Sequence, residues 1–135
     1  MIDVCAAWNS RLASRRITQF LDRELAPTGL SAAQFGLMAQ IVALADDTLS
    51  ALAQRTGLEQ STLSRNLRTL ESDGLIEIAA VESDLRRRVV WLTGAGVQRF
   101  EAAIPAWRRA HATLSKRLSP LARQLAEEAE ALIRE

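Results

Sequence analysis

At 135 residues, nearly half of them hydrophobic and a quarter charged, the chain is one domain's worth of globular protein and long enough for a core. Seventeen basic residues against sixteen acidic leave a net charge of +1, which excludes attraction to nucleic acid by bulk charge. No apolar run approaches the ~20 residues of a membrane span, the start lacks a signal-peptide pattern, and a single cysteine excludes an internal disulfide. The expectation is a soluble cytoplasmic protein with no membrane partner.

Residues 3–25 read as one long helix stopped by Pro27-Thr28-Gly29. Val4, Trp8 and Leu12 fall in one sector of it and Ile17, Phe20 and Leu21 in another. A helix apolar on two sides usually touches two neighbours, for which its own core and a second chain are the candidates. Cys5 lies in this helix, one turn from Trp8, and reads as a small buried hydrophobe. Ser31 opens the next helix with Gln34 three residues on, a capping box. Its inner face is expected to be Phe35, Met38, Ala39 and Val42. Asp46-Asp47 breaks the chain, and Thr48 caps the helix after the break.

From Leu49 to Thr56 the pattern is a short helix, ended by Gly57 because glycine tolerates the left-handed conformation. A second helix runs from about Glu59 to Asp73 and closes at Gly74. Leu63, Leu67 and Leu70 form its buried stripe, and Ser61, Arg65, Arg68 and Ser72 point the other way. Two short helices joined by a glycine turn, with hydroxyls and arginines outward on the second, fit a helix-turn-helix that enters a major groove. An ordinary amphipathic helix with a solvated basic face fits the same stretch taken alone. Leu75-Ile76-Glu77-Ile78 alternates as a half-buried strand, and Arg88 to Leu92 is a second β-rich run. Residues 79–87 between them are expected to form a polar hairpin tip. From Leu49 to Thr93 six arginines balance six acids, so nucleic-acid affinity depends on where the arginines point. Sixteen of the seventeen basic residues are Arg, which suits bidentate recognition and equally reflects codon bias.

Thr93-Gly94 starts a long helix in which Val97, Phe100, Ile104, Trp107, His111, Leu114 and Leu118 make a heptad-like seam. Pro105 within it is expected to kink the helix or free a carbonyl. Ser119-Pro120 reads as a cap with proline at the first helical position. The last helix carries Leu121, Leu125, Ala129 and Leu132 on one face. This apolar surface suits a second chain or packing within one chain; periodicity alone leaves both open. One His and one Cys make no metal site, no glycine-rich phosphate loop occurs, and a Cys-His pair lies on packing faces. The expectation is a protein that is not an enzyme and carries no cofactor or metal.

Helix-turn-helix followed at once by a charged-tip hairpin is the winged form of the motif. Leu52-Ala53-Gln54-Arg55-Thr56-Gly57, Ser61-Thr62-Leu63-Ser64-Arg65-Asn66-Leu67, and Asp84-Leu85-Arg86 running on to Leu92-Thr93 resemble the multiple antibiotic resistance regulator (MarR) family. The resemblance covers nearly the whole chain. It implies a mainly α (α+β) fold, a winged helix-turn-helix lobe over residues 31–103 flanked by dimerisation helices at 1–30 and 104–135. It also implies a homodimeric transcriptional regulator, a repressor, on a near-palindromic operator. Double-stranded DNA is then met by Ser61, Thr62, Arg65, Arg68, Asp84, Arg86, Arg87 and Arg88. A small aromatic ligand is walled by Trp8, Arg15, Phe35, Met38, Trp107 and His111. One branch of the family senses organic hydroperoxides through a first-helix cysteine, which places Cys5 as a redox candidate. That branch supports its thiol with tyrosines, and this chain has none. A winged-helix interaction module, an antirepressor or adaptor without specific DNA binding, is the alternative; the outward arginines favour the regulator.

Overall fold

The computed structural model describes residues 1–44 and 48–134, and only the backbone of Leu85. The expected break at Asp46-Asp47 lies outside the described residues. In chain order the elements are α1 (Ala6–Leu25), α2 (Ala32–Ala43), α3 (Leu49–Thr56), α4 (Gln60–Ser72), β1 (Ile76–Val81), β2 (Asp84–Leu92), α5 (Gly94–Leu114) and α6 (Leu118–Arg134). Among the described residues no helix is long and apolar enough to cross a membrane.

Local chemistry sets most of the boundaries. Ser31 accepts from the Gln34 backbone N–H at 3.1 Å while Gln34 Oε1 accepts from the Ser31 N–H at 2.9 Å, so the capping box forms in full. Asp22 of α1 accepts from the Ala32 N–H at 2.7 Å, a further cap brought by a neighbouring helix. Thr48 caps α3 through Ala51, and Gly57 ends it at φ 65°. Gly74, at φ 74°, turns the chain from α4 into the hairpin. Thr93 caps α5 by accepting from the Gly96 N–H at 3.0 Å, and its own hydroxyl donates to Gly74 O at 2.6 Å.

The core gathers Leu25, Phe35, Met38, Leu52, Leu63, Leu67, Leu70, Ile76 and Val90, so every element from α1 to β2 feeds one cluster, which α5 closes. Several expectations are corrected. The first helix starts at Ala6 after a short 3-10 turn, Ile2–Val4, and Cys5 is its N-cap in extended backbone rather than a residue of a helical turn. Val42 is 58% exposed, while Leu37 and Ile41 are buried in its place. Val42 shares a sector with Phe35, but seven residues, about 10 Å, carry it past the rings of α5 that cover Phe35. On α5 the deepest stripe is Gly96, Ala103, Ala106, Ala110 and Leu114; Phe100, Ile104, Trp107 and His111 flank it half-buried and Val97 is exposed. Small residues let helices approach most closely, so large seam residues end up beside the contact line. The helix runs through Pro105 and ends at Leu114, which moves Leu118 onto α6. Because α6 starts at Leu118, Ser119 and Pro120 lie inside its first turn, where a missing N–H costs nothing.

The strands reach much further than expected. Antiparallel pairing runs from Ile76↔Leu92 to Ala80↔Arg88, then slips to Val81↔Asp84, and only Glu82 and Ser83 are left as the tip. Residues 85–87 fall in the slip, a bulge of the kind that re-aims side chains. An isolated bridge from Thr48 to Val89 ties the start of α3 to the far side of β2.

Candidate functional site

The face of α4 opposite its leucine stripe carries Ser61, Arg65 and Arg68, all exposed, with Thr62 half-buried at its flank. The leucines leave no choice of orientation: Leu63, Leu67 and Leu70 must enter the core, and residues three and four apart then face water together. Arg65 Nη2 donates to Thr62 Oγ1 at 3.5 Å, which draws the guanidinium toward the N-terminal end of the helix. Ser61 and Thr62 are in the first turn, where free backbone N–H groups favour an anion. Arg55 at the end of α3 donates through Nε to Gln40 of α2.

On the hairpin, Arg86, Arg87 and Arg88 are exposed and crowd the bulge. Asp84 Oδ1 accepts from the Arg86 backbone N–H at 3.1 Å. The sequence puts Asp84 two positions before Arg86, close enough at a hairpin tip to hold the guanidinium, but its bond goes to the backbone and shapes the main chain of the tip. Asp84 and the three arginines line a cleft of about 540 Å³ with Thr48, Leu49 and Ser50 at the start of α3. Among the described residues, Arg65, Arg68, Arg86 and Arg88 take part in no ion pair, so their charge is directed outward. Ser50 was not singled out in the sequence; its place beside the wing depends on the Thr48–Val89 bridge, which no local pattern announces.

A second cluster lies between α2 and α5. Phe100, Phe35, Trp107 and His111 stack in a ladder with successive centroids 4.8, 5.9 and 3.9 Å apart. His111 Nδ1 lies 3.1 Å from Trp107 O one turn back, so the carbonyl holds the ring against the indole. Met38 is fully buried. Four of the six residues expected to wall a ligand thus belong to the α2–α5 packing. Trp8, half exposed, and Arg15 stand on α1, and among the described residues no ring contact, hydrogen bond or ion pair joins either to the ladder. Phe100 was missed as a member, although its spacing of seven from Trp107 on one helix face was visible in the sequence. Cys5 is half-buried at the N-cap of α1 and makes no capping bond. Among the described residues no group of three His, Cys, Asp or Glu could hold a metal.

The MarR family model matches residues 28–87, from the short turn after α1 to the wing bulge. The M. tuberculosis transcriptional regulator MosR, in a structure described as a complex with DNA, is 34% identical over 96% of this chain and 97% of its own, with a TM-score of 0.86. The chain belongs to the MarR family. Members of this family are winged helix-turn-helix transcription regulators, not enzymes. A second structure of MosR is 31% identical over the full length of both chains, with a TM-score of 0.83. A MarR variant from E. coli complexed with operator DNA is 23% identical over 93% of this chain and 92% of its own, with a TM-score of 0.76, a likeness of fold. No curated protein sequence matches the chain.

Proposed function

We propose that the chain is a homodimeric repressor that binds a near-palindromic operator and leaves it when a small aromatic ligand binds. The observation that carries the DNA reading is the exposed row Ser61, Arg65 and Arg68 on α4, unpaired and opposite the core stripe. Likeness to MosR, described in complex with DNA, supports it. Ser61 and Thr62 meet phosphate at the helix start, Arg65 reads a base edge, and Arg68 meets a base or phosphate one turn on. A hairpin tip cannot enter a groove filled by a helix, so Arg86 enters the adjacent minor groove, where width and negative potential are read. Asp84 holds the tip backbone for it, and Arg87 and Arg88 meet phosphate.

Arg65→Ala is expected to cost about 1–3 kcal/mol and to relax base preference at one position of each half-site. Arg86→Ala should weaken binding and flatten its dependence on A·T content beside the half-site, with major-groove preference kept. Asp84→Ala should resemble a milder Arg86→Ala. A panel of operator variants in fluorescence anisotropy reads all three; Arg86→Ala binding the whole panel like the native protein would remove the wing from the groove. If native protein binds no operator above random DNA, the interaction-module reading takes over.

Dimerisation is assigned to residues 1–30 and 104–135, with residues 31–103 as the DNA-binding lobe. Its support is α6, which has no buried residue and an apolar stripe in the open. Half-sites should be one turn, ~10 base pairs, or a multiple apart. A small aromatic ligand is assigned to the region of the aromatic ladder between α2 and α5, with Trp8 and Arg15 of α1 as the further wall residues.

Cys5 is the residue that release by thiol oxidation would use. Cys5→Ala is expected to keep operator affinity, and peroxide to leave operator binding unchanged in both proteins, because the thiol is a packing group. Release of DNA by peroxide from native protein but not from the variant would instead make it a sensor.

A further inference from the structure

The outward face at the root of the hairpin takes no part in DNA contact, dimerisation or ligand binding as proposed. Alternation turns Ile76 and Val90 inward, where each is 1% exposed, and leaves Trp91 40% exposed on the other side. Glu77 is the direct cross-strand partner of Trp91, so the two side chains share a face with Cβ atoms about 5 Å apart. Glu71, from the last turn of α4, lines the same cleft of about 460 Å³, with Gly74 and Thr93 at its end. Among the described residues neither carboxylate is in an ion pair, and no Arg or Lys lines the cleft.

The cleft runs along residues 76–79 of β1. β1 pairs with β2 on one side, and among the described residues no strand lies on the other. Free edges are usually guarded by lysine, proline or brevity. The segment Ile76–Val81 has neither Lys nor Pro, and its one charge is Glu77.

An exposed indole beside two unpaired carboxylates attracts cations, through the ring face and through charge-assisted hydrogen bonds. The same carboxylates repel phosphate, which excludes nucleic acid. The register turns the backbone groups of Ile78 and Ala80 to the open edge, two residues apart, which matches an extended polypeptide that can add as a strand and present alternate side chains to one face. We propose that the root of the wing docks an extended basic segment of a partner protein, its backbone on the edge of β1 and its Arg or Lys side chains on Trp91, Glu77 and Glu71. The hairpin is basic at its tip and acidic at its root, so partner and DNA are held at opposite ends.

The test uses the full chain and a labelled, end-capped peptide of alternating Arg and Val, monitored by anisotropy without DNA, so that it stands or falls apart from operator binding. Saturable binding is expected. Trp91→Ala should weaken it about tenfold, the value of one partly desolvated cation–π contact. Glu71→Gln with Glu77→Gln should weaken it as much, and so should a peptide with Pro in place of Val, which cannot donate to an edge. Both protein variants should bind the operator as the native protein does. Should Trp91→Ala fold poorly, the isosteric double Gln variant decides. Peptide binding that ignores both variants overturns the proposal. So does arginine amide competing as well as the peptide, which would mean a small-cation site. A loss of operator binding in either variant gives the face to DNA, and Trp91-dependent growth beyond the dimer in sedimentation gives it to a second copy; both outcomes also overturn it.

Discussion

Gly96→Ala is expected to lose about 3 kcal/mol of stability, the upper part of the range for forcing atoms into a packed site. A Cβ at this position would lie 2.0 Å from Leu75 O and 2.9 Å from Leu75 C. Backbone cannot swing aside as a long side chain can, so a displacement of about 1 Å must be taken by the chain itself, against a close-packed interior. The chain there is a knot. Leu75 O accepts from the Thr93 N–H at 3.0 Å, the Thr93 hydroxyl donates to Gly74 O, and the Gly96 N–H donates back to that hydroxyl. Those bonds join the end of α4, both strands and the start of α5 at one point. Pushing α5 away strains all of them and tilts the wing against α4, so operator affinity should fall with stability. Gly94→Ala is the control: a Cβ there meets nothing within 4 Å. Thermal melting should separate the two by roughly 10 °C at this chain length. Melting of Gly96→Ala within two or three degrees of native protein would refute the close approach.

That contact also marks where reading the sequence stops. The cap residues were legible because capping is local: Ser31 with Gln34, Thr48 and Thr93 each bond within three residues. Gly57 and Gly74 were legible for the same reason, since a left-handed residue ends a helix wherever it stands. The outward row on α4 followed from its leucines alone. Gly96 could not be singled out, because its need to be glycine comes from a carbonyl 21 residues earlier in the chain. The wing was under-read for a related reason. Arg86 and Arg87 look like a polar loop, yet they lie in a strand whose register is set by Ile76, Ile78 and Val90 packing on the core. The α5 seam was drawn through the largest residues, whereas helix packing put alanines at the line of closest approach. Phe35, Trp107 and His111 were grouped in the sequence as candidate ligand walls. What the pattern could not give is that they stack on one another.

Deleting residues from Ser119 onward should abolish the stable soluble protein, the second large effect. α6 buries none of its residues, and Leu121 and Leu125 remain 53% and 51% exposed. Those leucines, with Leu118 and Ala129, form one wall of an apolar groove of about 680 Å³ whose other wall is Ala6, Ser10, Ala13 and Ile17 of α1. Most of a protein helix's stability comes from packing its apolar face rather than from propensity, so this 17-residue helix needs a packing partner. Within the chain it meets chiefly α5. Covering the groove with the same elements of a second copy, related by a twofold axis, buries both stripes at once. Each leucine so buried contributes about 2 kcal/mol, and the deletion removes the whole set from both partners together. The truncated chain should aggregate or unfold, because such monomers are commonly unstable alone. Leu121→Glu with Leu125→Glu keeps the length and places two charges in the stripe; it should dissociate the dimer and weaken operator binding at least a hundredfold, since two linked half-site contacts become independent ones. Sedimentation and anisotropy on the same samples test both. A truncated chain that stays soluble, monomeric and cooperatively folded, and holds the operator as tightly as the native protein, would sink the dimer and with it the palindromic operator.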